Sequence, residues 1–144
     1  MGKNSVEIHF AEINRFNISA ISIAKWFDSV CKQEGCKLAQ ISIILCSDDY
    51  LLSMNQEHLD HDYYTDIITF DLSDAPEEIE GELYISTDRV KENADDLSLP
   101  FEIELHRVLI HGILHLIGYS DKSSADQKIM RGKEDAYLSL LPHL

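Results

Sequence analysis

Apolar and polar residues alternate along Val6-Glu7-Ile8-His9-Phe10, the period of a strand with one buried face. From Ser19 to Gln33 the period lengthens. Ile21, Ile23, Ala24, Trp26, Phe27 and Val30 form the apolar face of a helix, which Gly35 ends. Leu38 to Leu45 is rich in isoleucine and predicts a buried strand. Ser47-Asp48-Asp49 can cap a helix running through Leu51, Leu52 and Met54 towards Gln56. A polar loop, Leu59 to Tyr64, leads into a strand over Asp66 to Leu72. The acidic, proline-containing stretch Ser73 to Glu80 reads as a solvated hairpin connection, and Gly81 to Ser86 as a fourth strand.

Three helices complete the pattern. Thr87-Asp88 start one that reaches Leu97, and Ser98 is expected to cap the next, with Pro100 in its first turn. Ser123 and Ser124 with Asp126 and Gln127 resemble a capping box for a last helix ending near Leu140. The order β-α-β-α-β-β-α-α-α contains no repeat, linker or low-complexity tract. It predicts one α/β (α+β) domain over residues 1–144, a four-stranded mixed sheet with helices packed on it.

A chain of 144 residues can bury a proper core, and 44% hydrophobic with 26% charged residues is ordinary for a soluble globular protein. No apolar run is long enough for a transmembrane helix. The start lacks a signal-peptide core, and Val6 stands where a myristoylation signal needs Ser or Thr. Cys31, Cys36 and Cys46 are odd in number and lack CxxC spacing, which fits reduced thiols in a cytoplasmic protein. The net charge of −14 disfavours a nucleic-acid surface. Its distribution softens that objection, because residues 71–104 hold twelve acids against only Arg89 and Lys91. Further on, Lys122, Lys128, Arg131 and Lys133 stand among Asp126, Glu134 and Asp135, either as a weakly basic face or as an ordinary solvated helix surface.

The chemistry concentrates in His111-Gly112-Ile113-Leu114-His115-Leu116-Ile117-Gly118-Tyr119-Ser120-Asp121. Helix positions i and i+4 are neighbours, about 5–6 Å apart at Cβ, so both imidazoles can reach one metal ion. Gly118 can end the helix in a left-handed conformation and bring Asp121 back over the rings. Two nitrogens and one oxygen with an open fourth position is the pattern of a catalytic zinc site. The competing view is a buried helix with two satisfied core histidines. A metal accounts for both imidazoles at once, whereas burying them unpaired is costly. The spacing also matches the metzincin peptidase frame H-E-x-x-H-x-x-G-x-x-H, but Gly112 stands where those enzymes carry the glutamate base. A glycine inside a helix costs roughly 0.5–1 kcal/mol against alanine, and its presence here predicts a close neighbour on that face.

This segment resembles the signature His-Gly-x-Leu-His-Leu-x-Gly-Tyr-Asp-His of the YbeY family, bacterial endoribonucleases of ribosomal RNA maturation. His111, Gly112, Leu114, His115, Leu116, Gly118 and Tyr119 match, and Asp121 replaces the family's third histidine. The family's Asn-x-x-x-Arg-x-x-Asp-x-x-Thr-Asp-Val-Leu-Ser-Phe pattern is met by Asn55, Asp62, Thr65, Asp66 and Phe70, and its Gly-Asp-Ile-x-Ile-Ser by Gly81 to Ser86. The matches run from about Asn55 to Asp121 and loosely beyond.

The resemblance implies a zincin-like fold with the metal helix on the sheet, one zinc ion per chain, and ribosomal RNA and the small ribosomal subunit as partners. DNA and membranes are not expected partners. It implies metal-assisted hydrolysis, in which zinc on His111, His115 and Asp121 acidifies a bound water towards a pKa of about 7. That water's hydroxide could attack the phosphodiester or deprotonate a ribose 2′-OH. The family's arginine is Leu59 here, which can neither bind nor stabilise a phosphate. His58, His61 and Arg107 are the candidates to replace it, His61 first. His61, Asp66 and Arg107 are therefore the candidate catalytic residues. A peptide or amide hydrolase and a non-cleaving ribosome-assembly factor with a structural metal are the alternatives.

Overall fold

The computed structural model describes residues 5–59 and 65–141, without the side chains of residues 58 and 59. Its elements follow the predicted order: β1 (Val6–Ala11), α1 (Ala20–Gln33), β2 (Lys37–Cys46), α2 (Asp48–Leu59), β3 (Ile67–Asp71), β4 (Glu78–Ser86), α3 (Thr87–Leu97), α4 (Phe101–Ile117) and α5 (Ser124–Leu138). The sheet order is β1-β2-β4-β3, with β1, β2 and β4 parallel and β3 antiparallel to β4.

Alternation along the strands sorts side chains onto two faces. Ile41, Ile43 and Leu45 of β2 and Ile79, Leu83 and Ile85 of β4 enter the main core with α1 and α4. Ile44, Cys46, Ile68, Phe70 and Tyr84 face the other way, towards Leu51 and Met54 of α2. The end of β2 is packed on both faces, which is why the alternation of Gln40-Ile41-Ser42-Ile43 gives way to the apolar run Ile43-Ile44-Leu45-Cys46. Cys31 and Cys46 are free, buried thiols, and Cys36 is half-buried and free.

The helix ends show which local signals act. Ser19, Ser47 and Ser123 accept hydrogen bonds from the amides of Ser22, Tyr50 and Asp126, each 3.0–3.1 Å long. Ser98 behaves differently from expectation. It does not cap α4; it closes α3 at φ 56°, its amide donating to the carbonyls of Ala94 and Asp95. Pro100, which has no amide hydrogen to satisfy, takes the cap position of α4 instead. The acidic connection is also shorter than expected. Glu78–Glu80 already belong to β4, because Ile79 enters the core and the backbone pairs with Lys37, Leu38 and Gln40. Ladder pairing outweighs the poor strand propensity of glutamate there. At the end of α2, the helix continues beyond Gln56 to Leu59.

Helix α4 packs on β3 and β4 and also against α1, α3 and α5. Leu109, Ile110, Ile113 and Leu114 are fully buried. Gly112 makes this seating possible. A Cβ at Gly112 would lie 2.8 Å from Ile67 Cδ1 and 3.0 Å from Leu83 Cδ2, so the helix sits closer to the sheet than a side chain allows without a shift of those methyls. This is the close neighbour that a glycine inside a helix predicts.

Candidate metal centre

At the C-terminal end of α4 the helical repeat places His115 one turn beyond His111. Their Nε2 atoms stand 2.9 Å apart. Gly118, at φ 128°, ends the helix, with the Tyr119 amide donating to the Leu114 carbonyl at 3.0 Å and the Gly118 amide to that of His115 at 3.1 Å. The reversed chain is held by Gln127, whose side-chain amide donates to the Asp121 carbonyl at 3.0 Å. Asp121 Oδ2 thereby arrives 3.2 Å from His111 Nε2 and 3.4 Å from His115 Nε2. The imidazoles are not sealed in the core, being 23% and 27% exposed, and they open onto solvent beside Asp121.

The partners of the other ring nitrogens decide the chemistry. His115 Nδ1 lies 3.0 Å from the Tyr119 carbonyl oxygen, which can only accept, so Nδ1 carries the proton. His111 Nδ1 lies 2.6 Å from Glu134 Oε2 on α5 and donates to that carboxylate. In the neutral rings both Nε2 atoms are therefore bare lone pairs aimed at each other and at a carboxylate oxygen. Three acceptors converging this closely repel unless something positive stands among them. Ligands about 2.0–2.2 Å from a tetrahedral zinc lie about 3.4 Å from one another, and the edges of this triangle, 2.9, 3.2 and 3.4 Å, come near that value. His111, His115 and Asp121 are the one group of three metal-ligating side chains found together among the described residues.

Behind His111 lies a network of buried charge. Glu134, 4% exposed, also receives Arg107 Nη1 at 3.2 Å, and Arg107 forks onto the fully buried Glu104 at 2.9 and 2.6 Å. Burial alone would lower the His111 pKa. The hydrogen bond and charge of Glu134, with the charges of Asp121 and Asp66, outweigh it and hold the imidazole above its ordinary value. Burial likewise raises Glu104, which Arg107 only partly offsets.

The predicted site residues thus separate. His111, His115 and Asp121 come together. Asp66 stands just before β3, its carboxylate 3.4 Å from the Asn93 amide nitrogen and its charge felt at His111. Arg107 is one turn before His111 but is committed to Glu104 and Glu134. His61 lies outside the described residues, as do the side chains of His58 and Leu59. Of the four basic residues beyond Asp121, Lys122, Lys128 and Arg131 are exposed, while Lys133 is bound to Glu34. Glu134 escaped the sequence reading. Its signal was an acid in the buried stripe Met130–Glu134–Tyr137 of α5.

A mixed sheet with a helix-borne pair of histidines and a carboxylate, able to hold a metal and open on one side, is an arrangement that metal-dependent hydrolases use. The family model described as Endoribonuclease YbeY matches residues 7–142. The chain belongs to the YbeY family. It is 52% identical over 118 residues to an endoribonuclease YbeY of Cytophaga hutchinsonii, covering 82% of each chain. Against that of Christiangramia forsetii it is 42% identical over 135 residues, covering 93% and 94%. The solution structure of a Thermotoga maritima protein superposes with a TM-score of 0.64 at 29% identity, over 93% of this chain and 88% of that one. Among the described residues no helix is long and apolar enough to cross a membrane.

Proposed function

We propose that this protein is a zinc-dependent endoribonuclease that matures small-subunit ribosomal RNA in the cytoplasm, with His111, His115 and Asp121 as the metal ligands. The observation that supports it best is the convergence of three acceptors, the Asp121 carboxylate and two imidazole nitrogens whose ring protons are already engaged by Glu134 and the Tyr119 carbonyl. When bound, the ion supplies a Lewis acid for phosphate oxygens and an acidified water at neutral pH. The chain's own residues do the rest. Glu134 and the Tyr119 carbonyl hold the imidazoles in the tautomer that leaves Nε2 free. Asp121 offsets part of the ion's charge. Asp66, whose charge is felt at His111, is a further catalytic candidate, and His61 is the candidate for the phosphate that Leu59 cannot contact. The exposed Lys122, Lys128 and Arg131 give the RNA backbone a foothold beside an otherwise acidic surface.

The test is incubation of zinc-loaded protein with structured RNA and with casein, beside His111→Ala. Cleavage of RNA alone, lost in the variant, is the expected result. Cleavage of neither supports a ribosome-assembly factor that binds without cutting, a reading favoured by Leu59 and by the commitment of Arg107 to two glutamates. Elemental analysis should find about one zinc per chain.

Two outcomes bear on the imidazole supports. Glu134→Ala removes the acceptor of His111 Nδ1–H and should weaken zinc binding about 10–100-fold in a chelator competition. The second concerns pH. Zinc needs neutral imidazole, so protons compete as pH falls through the raised His111 pKa, and affinity should rise with pH. The metal-free protein should show the opposite trend. A raised folded-state pKa contributes stability that is complete below the unfolded value of 6.5 and lost as pH rises through the folded value. Thermal melts of metal-free protein at pH 6 and pH 8 should therefore give the lower Tm at pH 8.

A further inference from the structure

Glu34 lies far from the metal centre in sequence, at the C-terminal cap of α1. Its side chain is only 9% exposed and is held from three sides. Tyr119 Oη donates to Oε1 at 2.6 Å, while Lys133 Nζ at 3.1 Å and Tyr137 Oη donate to Oε2. The Lys133 ammonium also lies 5.6 Å from the Tyr119 ring centre and 5.9 Å from that of Tyr137. Burial alone would raise the Glu34 pKa, but these three donors outweigh it and keep the carboxylate charged. Its own position is set by the end of α1, where Gly35 at φ 77° turns the chain and the Cys36 amide donates to the Cys31 carbonyl at 2.8 Å.

Both supports of the histidine pair lead back to this carboxylate. Tyr119 is the residue whose carbonyl fixes His115, and its phenol is tied to Glu34 by Oε1. Helix α5 carries Glu134, which fixes His111, and the residues on either side of it in the helix, Lys133 and Tyr137, are tied to Glu34 by Oε2. We infer that Glu34 is a positioning residue for the metal centre, setting through Tyr119 and α5 the two acceptors that orient His115 and His111. Its hydrogen bonds go to Tyr119, Lys133 and Tyr137 and to none of the three ligands. It acts by holding the α4–α5 turn and α5 in register with α1, so that both Nε2 atoms converge on one point. The inference rests on His111, His115 and Asp121 being the ligands.

The test compares wild type, Glu34→Ala, Glu34→Gln, Tyr119→Phe and His111→Ala. The readouts are zinc affinity by chelator competition, the visible spectrum of the cobalt(II)-substituted protein, and Tm without metal. Glu34→Ala should bind zinc about 10–100-fold more weakly and shift the cobalt spectrum, because the imidazoles lose their fixed orientation. Glu34→Gln keeps one acceptor oxygen and should fall between alanine and wild type. Tyr119→Phe keeps the ring and its carbonyl but loses the phenol's bond, and should weaken binding in the same direction. A role confined to stability would instead lower Tm in these variants while leaving affinity and spectrum at wild-type values, which would overturn the inference. If Glu34→Ala does not fold, Tyr119→Phe and Glu34→Gln decide by the same readouts. Failure of wild type itself to bind metal, with His111→Ala no different, would remove the ligand assignment and this inference with it.

Discussion

Asp121→Ala should lose zinc by more than about 100-fold, beyond the range typical of a residue that only supports a ligand. The variant keeps two imidazoles and water, too few donors for a firm site. Asp121→His should retain the metal, because a third imidazole restores the donor of the family signature. Asp121→Asn keeps the shape of the side chain and removes the charge that offsets the ion, so its affinity should lie between wild type and alanine. The structure supports this order. Oδ2 of Asp121 completes a triangle with the two Nε2 atoms at 3.2 and 3.4 Å, and Gln127 secures the backbone of the same residue. Chelator competition across the four proteins measures it. If alanine loses less than about 100-fold and histidine binds no better, Asp121 only supports the turn after Gly118. His58 and His61 would then be the next donors to test.

Gly112→Glu should leave little folded protein. The substitution restores the residue type of the peptidase motif, yet the Cβ direction at Gly112 leads into Ile67 and Leu83 and not towards the metal. A glutamate there overpacks the helix–sheet interface, at about 1–3 kcal/mol, and drives a carboxylate against the apolar Ile67 and Leu83, which costs more. Against a total stability of about 5–15 kcal/mol, that sum unfolds most domains of this size. Thermal melts and soluble yield measure the effect. A well-folded Gly112→Glu protein that cleaves casein would show that the missing base was the single difference from a peptidase. Gly112→Ala separates the causes. It gains helix propensity, about 1 kcal/mol, and meets a contact of 2.8 Å that only a shift of the Ile67 terminal methyl relieves.

Much of the site was legible because it is local. The four-residue spacing of His111 and His115 dictates a shared helix face wherever that helix packs. Gly118 dictates the reversal that returns Asp121, since the left-handed conformation it adopts excludes most other residues. The strands and helices announced themselves through their periods, because burial of one face is written into consecutive residues. Where two local signals competed, sequence reasoning failed. Ser98 can cap a following helix or close a preceding one, and the choice depends on where α3 meets α4. The same holds for Glu78–Glu80, whose strand character comes from β2 alongside.

Only the tertiary structure decided what surrounds His111, His115 and Asp121. The sheet order, with β4 between β2 and β3, depends on which edges pair, and strand periodicity is blind to that. Glu134 stands 23 residues from His111 and Glu34 85 residues from Tyr119. No helical or strand repeat links such positions, so neither pair could be read in advance. Arg107 shows the reverse case. The sequence shows only a local partner for it, Glu104 three residues earlier, whereas in the fold α5 brings Glu134 to it as well and its charge is spent inside the protein. The proposed ligand set is a property of one helix and its turn. The orientation of those side chains belongs to the packing of α1, α4 and α5, because hydrogen bonds between distant segments form only after burial has brought those segments together.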